Sequence, residues 1–383
     1  MNRIILALLF VVSVLSVASN ASLASTNFDG LVSLEIGNDA VRAYVISLSE
    51  VTQTMVFSGA SVFGSVLGDD NVSYSFDTSI FTFESIGNFI TYTQAYASGS
   101  GSATTTGGAT GSVAAFAAIY KLFALAEYEE TNGEDGFQIG EDKLEGWLLL
   151  GNPSYKFSKQ ETDLKATLSN GTEINFKAYN VLADSGLVAL RFTVSDAPVE
   201  IEGTTISSET SKIDIEINGY FDSSVNKPTI LCSSADPMFS CGSTGPSTNP
   251  NSRVALISAY VSANVDASFN SNVQGGIISG GAVQGKFEFV TTVDTQINGT
   301  AGTANVITNA QGFAQGDAPD FLVKFDATAN IGLAGQFLVQ TFDAVRPDTI
   351  TWDPSVGVEK SSFAITLIPS LSLVVFIVFG LLI

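Results

Sequence analysis

Oxygen-bearing side chains are concentrated in one stretch of the chain, Glu127 to Asp142, where Glu127, Glu129, Glu130, Asn132, Glu134, Asp135, Glu141 and Asp142 are interleaved with Gly133, Gly136 and Gly140. Calcium takes six to eight hard oxygen ligands, and glycine lets a backbone turn tightly enough to present them. Glu130, Asn132, Glu134, Asp135 and Asp142 are therefore the candidate ligands of a weak Ca2+ site. The spacing departs from the helix-loop-helix consensus, because placing Gly136 at the sixth position puts Thr131 and Gly133 where carboxylates belong. A plain solvated hairpin loop is the competing reading.

Histidine is absent, which removes the commonest general base and the commonest transition-metal ligand. Serine-histidine, cysteine-histidine and histidine-zinc mechanisms are thereby excluded. A two-carboxylate glycosidase needs neither histidine nor cysteine, and Asp214 and Glu216 fall on the same side of one expected strand. Such a pair also suits a solvated sheet face. Trp147 and Trp352 could stack on sugars in a carbohydrate-binding adhesion module, or serve as core residues.

Sixteen Lys and Arg against 38 Asp and Glu give a net charge of -22, and no basic cluster is present to meet a phosphate backbone. Nucleic acid is not an expected partner. Residues 1–24 combine a basic start, an apolar run from Ile4 to Val17 and small-residue exits, the pattern of a secretory signal peptide. In the oxidising compartment that follows, Cys232 and Cys241 are expected to close one short disulfide loop. Asn71, Asn170 and Asn298 head N-glycosylation triplets. Residues 358–383 include the uncharged apolar run Phe363 to Ile383, just long enough to span a bilayer. With small residues at Ser355 and Gly357, it reads as a lipid-anchor (GPI) signal with Ser355 as attachment residue, the rival being an ordinary single-pass tail.

The elements that must carry these residues read as strands. Period-two alternation marks Leu31 to Ile36, Val41 to Ile46, Val72 to Phe76, Phe81 to Tyr96, Thr172 to Tyr179, Leu187 to Val194 and Lys212 to Phe221. Further segments are expected at Arg253 to Ala263, Lys286 to Val293, Asp320 to Phe325 and Gly335 to Phe342. Val113 to Glu130 suits either a helix or a strand, with strand favoured from Ile119. Ala97 to Ser112, rich in Gly, Ser, Thr and Ala, reads as a flexible loop or linker. The expectation is an all-β protein, either one large β-sandwich or two packed β-sandwich subdomains. In that scheme residues 25–96 form an N-terminal β region, 97–112 the linker and 113–357 the main sandwich.

The segments Ile119 to Tyr128 running into Asn132-Gly-Glu-Asp-Gly136, then Asp184 to Phe192, Lys212 to Asn218 and Ile350 to Gly357, resemble the globular domain of acidic skeletal organic matrix proteins of stony corals. The resemblance spans roughly Ile119 to Gly357 and implies an extracellular matrix role with calcium or mineral contact. The chain lacks that family's long aspartate runs and carries an extra residue in the acidic loop, which points to a non-mineralising relative. Together these readings lead to a non-catalytic, membrane-anchored cell-surface or extracellular-matrix protein, with an extracellular glycan or matrix protein as its expected partner.

Overall fold

The computed structural model describes residues 31–360 apart from 37–39, 50–53, 68–70, 87–88, 105–108, 151–155, 168–172, 185, 202–203, 208, 225–245, 263–274, 281–282 and 314–333. The described elements are all strands, as the alternation and the β-branched and aromatic content require. An antiparallel meander opens the first layer: β1 (Leu31–Ile36), β2 (Ala40–Ser49), β3 (Thr54–Leu67), β4 (Asn71–Ile86), β5 (Phe89–Thr104) and β6 (Ala109–Glu129). β7 (Lys143–Leu149) then returns along the last residues of β6.

The chain crosses to a second layer with β8 (Lys156–Thr167), β9 (Glu173–Asp184) and β10 (Val188–Ser195), followed by a small ribbon of β11 (Val199–Ile201) and β12 (Thr204–Ile206) and by β13 (Ser211–Asn218) against β10. β14 (Arg253–Ser262) rejoins the first layer on the free side of β6. β15 (Gly275–Gly280), β16 (Val283–Glu288) and β17 (Thr292–Ile297) extend the second. β18 (Thr300–Phe313) belongs to both, pairing β17 through Asn305 and β19 (Ala334–Phe342) from Val306 onward. β20 (Thr349–Trp352) and β21 (Ser355–Lys360) close the second layer between β13 and the β16 and β17 strands.

Alternation explains which side chains meet between the layers. Along β13, Ile213, Ile215 and Ile217 are buried while Asp214, Glu216 and Asn218 are not, since successive side chains leave opposite faces of a strand. Aromatic rings carry the contact. Phe192 of β10 lies 4.6 Å from Phe83 and stacks at 5.6 Å on Tyr92, both from the first layer. Farther along, Phe287 of β16 packs at 4.5 Å on Tyr120 and 5.1 Å on Tyr260, and Trp352 touches Phe289 and Phe342. Two polar ties join the layers as well: the Tyr92 and Ser211 hydroxyls bond to each other, and Gln94 Nε2 donates to the Glu209 carbonyl at 2.8 Å.

The sandwich architecture agrees with the sequence expectation, and the ambiguous Val113 to Glu130 is strand through Glu129, the end of β6. Several segment expectations differ, and Phe81 to Tyr96 divides between β4 and β5. Within the Gly/Ser/Thr tract Ala97 to Ser112, expected as a flexible loop or linker, the described residues 97–104 and 109–112 continue β5 and β6, paired in register from Ala97 opposite Ala115 to Ala103 opposite Ala109. Backbone hydrogen bonds of a hairpin need no large side chain, so composition alone misjudges it. The strands of the expected N-terminal region, residues 25–96, are consequently continuous with β6 and β14 in one sheet. Lys286 to Val293 divides between β16 and β17. The expected strand at Asp320 to Phe325 and the Cys232–Cys241 loop lie outside the described residues.

Truncating Phe192 to Ala removes the ring shared by both layers and is expected to destabilise the fold by about 3–5 kcal/mol in urea unfolding. The exposed control Val290→Ala (46% exposed) should stay within about 0.5 kcal/mol of wild type. Equal losses from the two substitutions would contradict the interlayer packing.

Candidate functional site

Tyr128, buried one residue before the end of β6, packs its ring at 4.8 Å on Phe137 of the acidic loop. Asp142 organises the loop from within. Its Oδ1 accepts the Thr131 N–H at 2.9 Å and the Asn132 N–H at 3.4 Å, and its Oδ2 accepts the Gln138 N–H at 2.8 Å. Asn132 Oδ1 accepts the Glu134 N–H at 2.9 Å, an Asx turn. The loop is bolted to the neighbouring strands by the Phe137 N–H on Thr341 Oγ1, and Gly136 has a φ of 82° with Ile307 where a Cβ would sit.

These bonds divide the expected calcium ligands. Asp142 is buried and spends both oxygens on the backbone, Glu130 pairs with Arg253 at 3.1 Å, and Glu134 and Asp135 face solvent. Among the described residues no group of three or more His, Cys, Asp or Glu could hold a metal ion. The arrangement is that of a self-capped surface turn.

The other expected site residues are also placed. Trp147 and Trp352 are buried, with Trp352 Nε1 donating to the Val290 carbonyl, so both are core residues and neither offers a face to a sugar. Asp214 forms an ion pair with buried Lys212 at 2.8 Å, the arrangement of a neutralised sheet face. Ser355 is buried at the start of β21, opposite Lys212 and Glu288. Lipid attachment there would detach Val356–Lys360, the strand that pairs with β16. Asn71 opens β4, Asn298 sits exposed at the β17–β18 turn, and Asn170 lies outside the described residues.

Sequence reasoning gave no structural role to Glu127, a constrained polar group among the described residues. Glu127 of β6 is fully buried, and both its oxygens accept the Ser247 N–H, at 2.9 and 3.1 Å. Room for the carboxylate comes from Gly146, its cross-strand partner on β7: a Cβ at that position would stand 3.0 Å from Glu127 Oε2 and 3.3 Å from the Tyr220 hydroxyl. Arg346 holds the same segment from the other side. Its Nη1 donates to the Ser247 and Asn249 carbonyls at 2.6 and 2.9 Å, its N–H donates to the Ser252 carbonyl at 3.0 Å, and its guanidinium lies 4.5 Å over Phe221. A φ of 45° at Arg346 is uncommon for a residue with a side chain and is held by these contacts.

Burial pushes the Glu127 carboxyl up, against the pull of the Ser247 and Ser252 hydrogen bonds and of the Arg346 charge; Glu145 adds to the rise. Tyr220 is raised well above the ordinary phenol range, chiefly by burial and then by the Glu127 charge. Beside this clamp, at the same end of the sandwich, a cavity of about 760 Å³ opens between the turn after β13, the β17–β18 turn and the β19–β20 connection. Phe221, Asp222, Ile297, Asn298, Val345 and Asp348 are among its lining residues.

Comparison with protein-family models, with curated proteins and with solved structures found no match. The reading of function therefore rests on this chain's own residues.

Because the folded-state carboxyl of Glu127 is raised, its contribution to stability is fully present below the unfolded carboxyl value of about 4.3 and is lost as pH rises through the folded value. Glu127→Gln removes that loss. The melting temperature of the variant relative to wild type should accordingly increase between pH 4 and pH 7, and a pH-independent difference would contradict it. A second variant, Asp142→Ala, leaves the Thr131 and Gln138 N–H groups without their acceptor. It should cost about 1–3 kcal/mol in urea unfolding, an outcome refuted by wild-type stability.

Proposed function

We propose that this chain is a non-catalytic cell-surface or extracellular-matrix protein, an all-β ectodomain held at the membrane by its apolar tail. The observation that carries the reading is the join between fold and tail. β21 ends at Lys360, and the uncharged run begins at Phe363, so a membrane-inserted tail would hold the sandwich close to the bilayer surface. The same join favours a membrane-spanning tail over a lipid anchor. Small residues with a polar spacer before the apolar run occur at Ser355 to Gly357, but these residues are buried in the sheet and cleavage there would remove most of β21.

An exposed sequon at Asn298 and the leader-like first 24 residues support the secretory route. The resemblance to coral skeletal matrix proteins supports an extracellular setting without a mineral-binding role, since the acidic loop directs Asp142 inward. Calcium at that loop is retained only as weak occupancy by solvent-facing Glu134 and Asp135. The fold supplies no aromatic sugar platform from Trp147 or Trp352, which sets the adhesion-module alternative behind.

Full-length chain expressed in animal cells should reach the surface glycosylated, resist release by a phosphatidylinositol-specific phospholipase and partition with detergent. Release by the lipase would restore the lipid anchor. An unprocessed, cytosolic and unglycosylated product would overturn the surface reading altogether.

A further inference from the structure

Asn298, which heads a sequon, is itself a lining residue of the cavity at the clamp end, and together they carry an inference about what fills it. Asn298 and Gly299 form the two-residue turn between Ile297 and Thr300, with φ of 50° and 73°, the paired positive values that a tight hairpin requires and that Asn-Gly supplies. The turn is tied down: Asp348 Oδ2 accepts the Gly299 N–H at 2.9 Å, and the Asp348 N–H donates to the Gln296 carbonyl at 2.7 Å. Asn298 thus lines the cavity from a fixed position.

The cavity also exposes apolar surface that the fold does not cover. Among the described residues, the exposed large hydrophobics are Val290, Ile297 and Val345, and the last two line this cavity, 37% and 39% exposed. Phe221 adds a ring edge-on to Tyr220, and the Asp222 and Asp348 carboxylates stand among the same lining residues. Its one guanidinium, that of Arg346, is engaged by the Ser247 and Asn249 carbonyls and by the face of Phe221, so an anion is not the ligand the lining favours. Apolar side chains beside hydrogen-bond acceptors suit a pyranose ring, which has a C–H face and a rim of hydroxyl donors. The volume of about 760 Å³ lies within the range of about 300–1,000 Å³ typical of small-ligand sites.

We propose that the N-glycan on Asn298 seats its first sugar in this cavity, with the C–H face on Ile297 and Val345 and hydroxyls toward Asp348 and Asp222. The glycan is then a structural part of the sandwich end. It covers the apolar patch and braces the β17–β18 turn against the β19–β20 connection, the segment from which Arg346 reaches Ser247. The inference rests on the secretory reading, because only that route attaches the sugar.

The test is a thermal double-mutant cycle on full-length, secretory-expressed protein, with occupancy at Asn298 read by glycopeptide mass spectrometry. Thr300→Ala abolishes the sequon while leaving Asn298 in its turn, and Val345→Ser removes the apolar seat while leaving the sequon. Each single variant should lower the melting temperature by about 2–4 °C, the shift expected of a modest contact in a domain of this size, and the double variant should lose no more than either. Losses that add with the glycan present, or an unchanged melting temperature in Thr300→Ala, would overturn the seat and leave the surface reading intact. Absence of glycan from all three sequons would remove both.

Discussion

Everything in this fold depends on two apolar sheet faces covering each other, and aromatic rings make that contact. Phe192 reaches from the second layer onto Phe83 and Tyr92, and Phe287 reaches onto Tyr120 and Tyr260. Each ring brings a large apolar area together with a preferred tilt, so the contact sets the relative placement of the layers as well as contributing burial. β18 reinforces the arrangement, because one continuous strand pairs β17 in one sheet and β19 in the other. Sliding the layers would break one of those pairings.

Among the described residues, two buried carboxylates inside this frame have a mechanical part. Glu127 and Arg346 grip the backbone around Ser247 from opposite sides, the carboxylate taking an N–H and the guanidinium taking carbonyls. A buried carboxylate is costly unless its oxygens are used, and Gly146 is what lets it fit. Asp142 plays the equivalent part in the acidic loop, where three N–H groups converge on one side chain. In both places an acidic residue that composition would assign to a cation instead satisfies backbone. In a protein with a net charge of -22, these two carboxylates are thus spent on backbone, while Glu134 and Asp135 face solvent and add to its surface field.

Much of the architecture was legible before any fold was known. The alternation Ile213, Ile215, Ile217 against Asp214, Glu216, Asn218 names the strand and its buried face, because side-chain direction along a strand has a period of two. The Gly/Ser/Thr tract at Ala97 to Ser112 is illegible for a complementary reason: without large side chains it has no alternation to read, yet the backbone of its described residues pairs along β5 and β6. Composition does not say which carboxylates of the acidic loop point inward; Asp142 does, with both oxygens on backbone N–H groups.

The sequence by itself determined the all-β class, the exclusion of histidine chemistry and the buried face of its clearly alternating strands, because these follow from residue types and local periodicity. Tertiary structure alone decided the rest. Glu127 meets Ser247 across 120 residues and Gln94 meets Glu209 across 115, and no local pattern encodes such pairings. Likewise Ser355 looks like an accessible small residue in sequence but is buried in β21, and Asn298, Ile297 and Val345 share a cavity only because two distant turns are brought to the same end of the sandwich. Local spacing specifies which face of a strand is apolar; the partner that covers it is chosen by how the sheets close over one another.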